Sequence, residues 1–143
     1  MVTRIRVQVG TSYDYADAFA VELPAPDPTP PERWLGAAFT RLPRVVDLIT
    51  TRLGFSSAGS APLDGWEIRA NDPDLVHLVT DLPMAHVDFV GRNTSPTRRT
   101  LTTLLTYRRP WPARLVWLVV APVHRRTARW ILRTSLRGEL VPA

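Results

Sequence analysis

Cysteine and lysine are both missing from the 143 residues. Without cysteine there can be no disulfide, no thiolate metal site and no cysteine nucleophile. Histidine is scarce: His77, His86 and His124 are the three in the chain. No two of them stand at the HExxH spacing that presents paired ligands on one helix face. A cluster of His77, His86 and Asp88 across neighbouring strands would depend on their register, so no metal and no cofactor is expected. Also missing are a Gly-x-Ser-x-Gly elbow, a phosphate loop and a dinucleotide fingerprint, which argues against serine-hydrolase and nucleotide-dependent mechanisms. The longest apolar run, Leu115 to Val123, is too short to span a bilayer and contains Pro122. The N-terminal stretch MVTRIRVQVG lacks the apolar core of a signal peptide, so a cytoplasmic protein without a transmembrane segment is expected.

What is present is dominated by arginine, which supplies all 18 basic residues, and by 14 prolines. That usage fits a GC-rich genome. The formal charge of +5 is unevenly placed. Residues 1–88 hold 7 arginines against 12 acids, whereas residues 89–143 hold 11 arginines against Glu139 alone. The two halves therefore attract each other, and part of the basic charge is expected to be spent internally. The length suits one domain, residues 1–143, able to bury a core without staples.

Residues Arg4 to Val9 alternate as a short strand or arm. Tyr15 to Leu23 suits a strand with Phe19, Val21 and Leu23 on one face. The five prolines between Pro24 and Pro31 require an extended connector. A helix then opens at Thr29 or Pro30, with Pro31 and Glu32 in its first turn and an apolar stripe of Trp34, Leu35, Ala38 and Phe39. A second short helix is predicted from Pro43 to Leu53, ended by Gly54, with a loop over residues 56–65. Strands follow at Trp66 to Ala70, Leu75 to Thr80 and Met84 to Val90. A turn is expected at Asn71 to Asp74 and a polar loop at Gly91 to Thr97. Arg98 to Arg108 is predicted as the longest strand. Short connections make these strands consecutive antiparallel neighbours. Pro110 to Arg137 reads as a helix bent at Pro122. Trp117, Val120, Ala121, His124, Ala128, Ile131 and Ser135 share one side of it. Arg125, Arg129, Arg133 and Arg137 line another.

This order predicts an α+β fold in which a curved antiparallel sheet wraps a long C-terminal helix. It resembles the helix-grip fold of the START and polyketide-cyclase (SRPBCC) superfamily. Three segments make the likeness more particular: Asp14-Tyr-Ala-Asp-Ala-Phe19, His86-Val-Asp-Phe89, and Leu118 to Arg126 in the last helix. Together they resemble DUF2867, a bacterial family of small domains also found attached to short-chain-dehydrogenase-like proteins. The resemblance covers about Tyr13 to Arg137. It implies a cavity between sheet and helix for a lipid, polyketide or other apolar secondary metabolite, with cyclisation or dehydration as the attendant chemistry. The family supplies no catalytic residues to transfer.

Three residues are candidates for proton transfer. His86 and Asp88 stand two apart on a strand and so share a face, where a carboxylate can fix the histidine tautomer. The competing reading puts both on the solvated face of the sheet. His124 lies on the helix side that should meet the sheet, either pointing into a pocket or bonded structurally. Trp66, Met84, Tyr107, Trp117 and Ala121 are candidate ligand-binding residues, with the hydroxyls of Thr100, Thr102, Thr103 and Thr106 nearby. The leading expectation is a binder of an apolar small molecule, with turnover left open. One alternative is a non-enzymatic protein whose arginine-rich helix engages an acidic protein, a membrane surface or, less favoured, nucleic acid. The other is an accessory subunit that dimerises through Trp111, Trp117 and Trp130.

Overall fold

A computed structural model describes residues 2–7, 13–39, 41 and 66–138. In chain order the elements are β1 (Val2–Ile5), β2 (Tyr15–Glu22), α1 (Pro31–Phe39), β3 (Glu67–Asp72), β4 (Leu75–Asp81), β5 (Ala85–Ser95), β6 (Arg98–Tyr107) and α2 (Pro110–Gly138). The helix expected from Pro43 to Leu53 and the loop over residues 56–65 lie outside the described residues.

The six strands form one curved antiparallel sheet in the order β1-β2-β6-β5-β4-β3. From β3 to β6 the chain meanders through short turns, as the turn residues predict. At Pro73–Asp74 the backbone N–H of Asp74 donates to Asp72 Oδ1 at 2.9 Å. β2 lies beside β6, far away in sequence, in an eight-residue register that runs from Tyr15↔Leu105 to Glu22↔Arg98.

Three strand boundaries differ from expectation. The first strand covers Val2–Ile5, beginning before the expected Arg4; of the expected Arg4 to Val9, residues 8 and 9 lie outside the described residues. The expected turn at Asn71 shrinks, because Asn71 and Asp72 pair with Val76 and Leu75. The expected polar loop from Gly91 is strand as far as Ser95, which makes β5, at 11 residues, longer than β6, at 10. A register shift between Asn93 and Ser95 absorbs the polar sequence. Asn93 also has partners that a loop would lack: it accepts from Trp34 Nε1 at 3.0 Å and donates to the Thr29 carbonyl at 2.8 Å.

Directly paired residues share a face, so the register sorts the sheet into two sides. One side bears Phe19, Val21, Val76, Leu78, Phe89 and Leu101, which form a single core with Trp34, Leu35 and Ala38 of α1 and Ala128, Ile131 and Leu132 of α2. Leu35, Leu101 and Leu132 are fully buried, and each contributes about 2 kcal/mol by leaving water. Gly91 is where α1 comes closest to the sheet: a Cβ there would sit 3.3 Å from Val76 Cγ1 and 3.4 Å from Trp34 Cη2.

α2 is continuous through Pro122. Proline removes one hydrogen-bond donor from a helix interior. Here it lies on the outward face, one turn after the exposed Leu118, where the freed carbonyl can reach water.

Arg99 ties the layers together. Its side chain is fully buried on the helix side of β6. It donates to the Ser135 carbonyl at 3.1 Å, lies 3.4 Å from Asp27 Oδ2 in the proline-rich connector, and stacks 5.4 Å from the centre of the Trp34 ring. With Arg98–Glu22 and Arg108–Asp81, this is the attraction between the acidic and basic halves that the charge distribution predicts.

Candidate functional site

Tyr15 and Asp17 stand two apart on β2 and therefore point the same way, towards α2. Thr103 of β6 is the register partner of Asp17. Over them α2 lays Trp117, Ala121 and His124, residues one turn apart that share the buried side of the helix. The result is a polar cluster inside the layer between sheet and helix. Tyr15 Oη donates to Asp17 Oδ2 at 2.7 Å, and His124 Nε2 lies 3.2 Å from the same oxygen. The Trp117 ring packs edge-on to Tyr15 at 4.8 Å and tilts against His124 at 5.1 Å. Arg125 Nε donates to Tyr15 Oη at 3.3 Å from the rim.

Burial is severe here. The Asp17 side chain has no exposed surface, and His124 retains 16%. A buried carboxylate is costly unless charge and hydrogen bonds compensate it; Tyr15 and His124 do so at one oxygen only. Four buried polar atoms of the cluster have no hydrogen-bond partner: Asp17 Oδ1, Thr103 Oγ1, Trp117 Nε1 and His124 Nε2. The His124–Asp17 contact is thus an ion-pair distance without hydrogen-bond alignment. Burial pushes the Tyr15 hydroxyl above its ordinary pKa, against the opposing hydrogen bond from Arg125 and with reinforcement from Asp17. The same Tyr15 contact raises Arg125, so the phenol stays protonated and keeps donating to Asp17.

The predicted catalytic residues are divided between the two faces. His124 lies in the cluster. His86 and Asp88 are on the opposite face of the sheet, away from both helices. There Asp88 sits between two histidines, with His77 Nε2 at 2.8 Å from Oδ1 and His86 Nε2 at 3.5 Å from Oδ2. His86 Nδ1 lies 2.6 Å from Asp81, which also pairs with Arg108. The His86 contact, helped by Arg108, holds the exposed Asp81 carboxyl below its ordinary pKa. This chain of alternating carboxylates and imidazoles joins β4 to β5 and contains no grouping fit to hold a metal among the described residues.

The predicted ligand-binding residues are divided as well. Trp117 and Ala121 line the cluster, and Ala121 is buried. Trp66 belongs to the other half of the layer, where it packs on Phe39 and Phe89. Met84 lies in the β4–β5 turn, its carbonyl accepting from the Arg108 N–H at 2.8 Å. Tyr107 closes β6, its backbone N–H bonded to Asp14 at 2.6 Å. Tyr15 and Asp17 were not candidates, although a signal existed: Asp17 interrupts an otherwise apolar strand on the same face as Phe19 and Val21.

A half-open cleft of about 530 Å³ lies elsewhere, between Pro26–Pro28, the β3–β4 turn and the β5–β6 turn at Thr94–Pro96. It is at the opposite end of the paired strands from Tyr15, and nothing in it converges as the Asp17 cluster does. No family model, curated protein or solved structure matches the chain.

Proposed function

We propose that the protein is a helix-grip binder of a small, largely apolar molecule that carries a hydroxyl or carbonyl group. The molecule lies between β2–β6 and the first half of α2. The observation that carries this reading is the set of four unpartnered buried polar atoms around Asp17. Buried donors and acceptors without partners are expensive, and a ligand with both a donor and an acceptor relieves the cost. Trp117 Nε1 offers a proton to an oxygen, Asp17 Oδ1 accepts one, and Thr103 does either. Trp117, Ala121 and Tyr15 supply apolar wall.

The same groups suit proton transfer without redox change. Asp17 takes a proton from a carbon beside a carbonyl; that carbon either bonds to a second carbonyl carbon, whose oxygen takes a proton from protonated His124 and becomes a hydroxyl, or forms a double bond as a neighbouring hydroxyl takes that proton and leaves as water. Cyclisation or dehydration of a polyketide-like chain needs no more than this, together with a shape that folds the chain.

Titration with the neutral fluorophore N-phenyl-1-naphthylamine tests the binding step. A saturable one-site enhancement is expected for the wild type. It should be lost in Ala121→Trp, which fills the layer, with circular dichroism checking that the variant folds. No saturable signal, or equal binding by folded Ala121→Trp, sinks the proposal.

A further inference from the structure

The outward face of α2 is apolar where a solvated helix should be polar. Trp111, Leu115, Leu118 and Val119 are 76%, 54%, 71% and 77% exposed. At 100° per residue they fall, with Pro122, on one stripe about 16 Å long, turned away from the Ala113, Ala121 and Ala128 side that meets the sheet. Isolated exposed apolar residues are ordinary, but a contiguous helical stripe of large ones marks a contact surface. Arginines bracket it. Arg109 and Arg114 stand at its start, and Arg126 and Arg133 continue the same face beyond Pro122, all four of them exposed.

Charge selects among the occupants of this stripe. A second copy paired symmetrically across it would bring arginine clusters of like sign together, a repulsive arrangement. Nucleic acid would satisfy the arginines but offers no apolar surface for Leu115, Leu118 and Val119. An anionic lipid surface satisfies both sets: acyl chains take the leucines, phosphates take the guanidiniums, and Trp111 suits the boundary between them. No helix among the described residues is long and apolar enough to cross a membrane, so the geometry is that of a helix lying in the interface. We infer that the outward face of α2 docks the protein on an anionic membrane surface. This inference is independent of the ligand site, since it uses the other side of the helix.

Co-sedimentation with sucrose-loaded vesicles tests it. The full chain should partition at least tenfold more strongly onto phosphatidylcholine vesicles containing 30% phosphatidylglycerol than onto phosphatidylcholine alone, a selectivity that added salt reduces. Trp emission should shift to the blue on binding, and Trp111→Phe should remove that shift. The Leu118→Glu/Val119→Glu double variant changes only exposed positions and should keep its thermal unfolding while losing vesicle binding. Failure of the wild type to sediment with anionic vesicles overturns the inference, as does undiminished sedimentation of the double variant. A dimer in solution that the double variant abolishes would assign the face to a second copy. Binding of an RNA oligonucleotide in place of vesicles, untouched by the double variant, would assign the arginines to nucleic acid.

Discussion

Asp17 has a carboxylate with no solvent contact in a strand that, between Tyr15 and Glu22, is otherwise alanine, phenylalanine and valine. Its cost is met at one oxygen by Tyr15, with His124 Nε2 3.2 Å away, while the other oxygen has no hydrogen-bond partner. An apolar residue would pack there at lower cost. Tyr15 makes the arrangement sensitive to pH. Its hydroxyl titrates at a higher pH in the folded chain than in the unfolded one, chiefly through burial. The contribution is therefore fully present below pH 10, the ordinary tyrosine value, and is lost as pH rises through the folded value. Tyr15→Phe should flatten that high-pH decline in thermal melts followed from pH 8 to 11. An unchanged decline would show that Tyr15 does not couple to folding.

The two sides of α2 do different things. Its inner side is mostly alanine and branched aliphatics, with Trp117 and His124 set among them over Tyr15 and Asp17. Its outer side passes from apolar to arginine at Pro122. That proline leaves one carbonyl unsatisfied in a helix that is otherwise continuous, and its ring crowds the preceding turn. Pro122→Ala should therefore raise stability by about 1–3 kcal/mol, measured by urea unfolding, with the far-ultraviolet spectrum unchanged or slightly more helical. A loss of stability would mean that the local geometry at Pro122 helps fit α2 to the sheet. The element was foreseeable from its sequence, because 3.6-residue periodicity survives a single proline. The extent of β5 was not. Gly91 and Asn93 are loop-forming in isolation, and pairing with Leu101 and Arg99 makes strand of them.

Across the whole molecule, stability rests on contacts between distant segments. Arg99 joins the connector, α1, β6 and the last turns of α2 through one guanidinium. Replacing it with methionine keeps much of the volume but leaves the Ser135 carbonyl and Asp27 short of a partner. Arg99→Met should destabilise the fold by about 3 kcal/mol, a fall in melting temperature on the order of 10 °C for a chain of this size. A change within 1 °C would show that packing, not the charge, holds this junction.

The sequence by itself determined the classes of element, the meander from β3 to β6, the inward side of α2 with His124 upon it, and the attraction between its two halves. These follow from local rules: side-chain period, turn chemistry and proline geometry act over a few residues, and net charge is a sum. Tertiary structure alone decided that β2 lies beside β6, and with it that Asp17 meets Thr103 beneath His124. Strand pairing between segments 76 to 90 residues apart leaves no periodic mark in either of them. It likewise decided that His86 and Asp88 face away from the helices. A strand places residues two apart on a common side, but which side becomes the interior depends on where the helices pack.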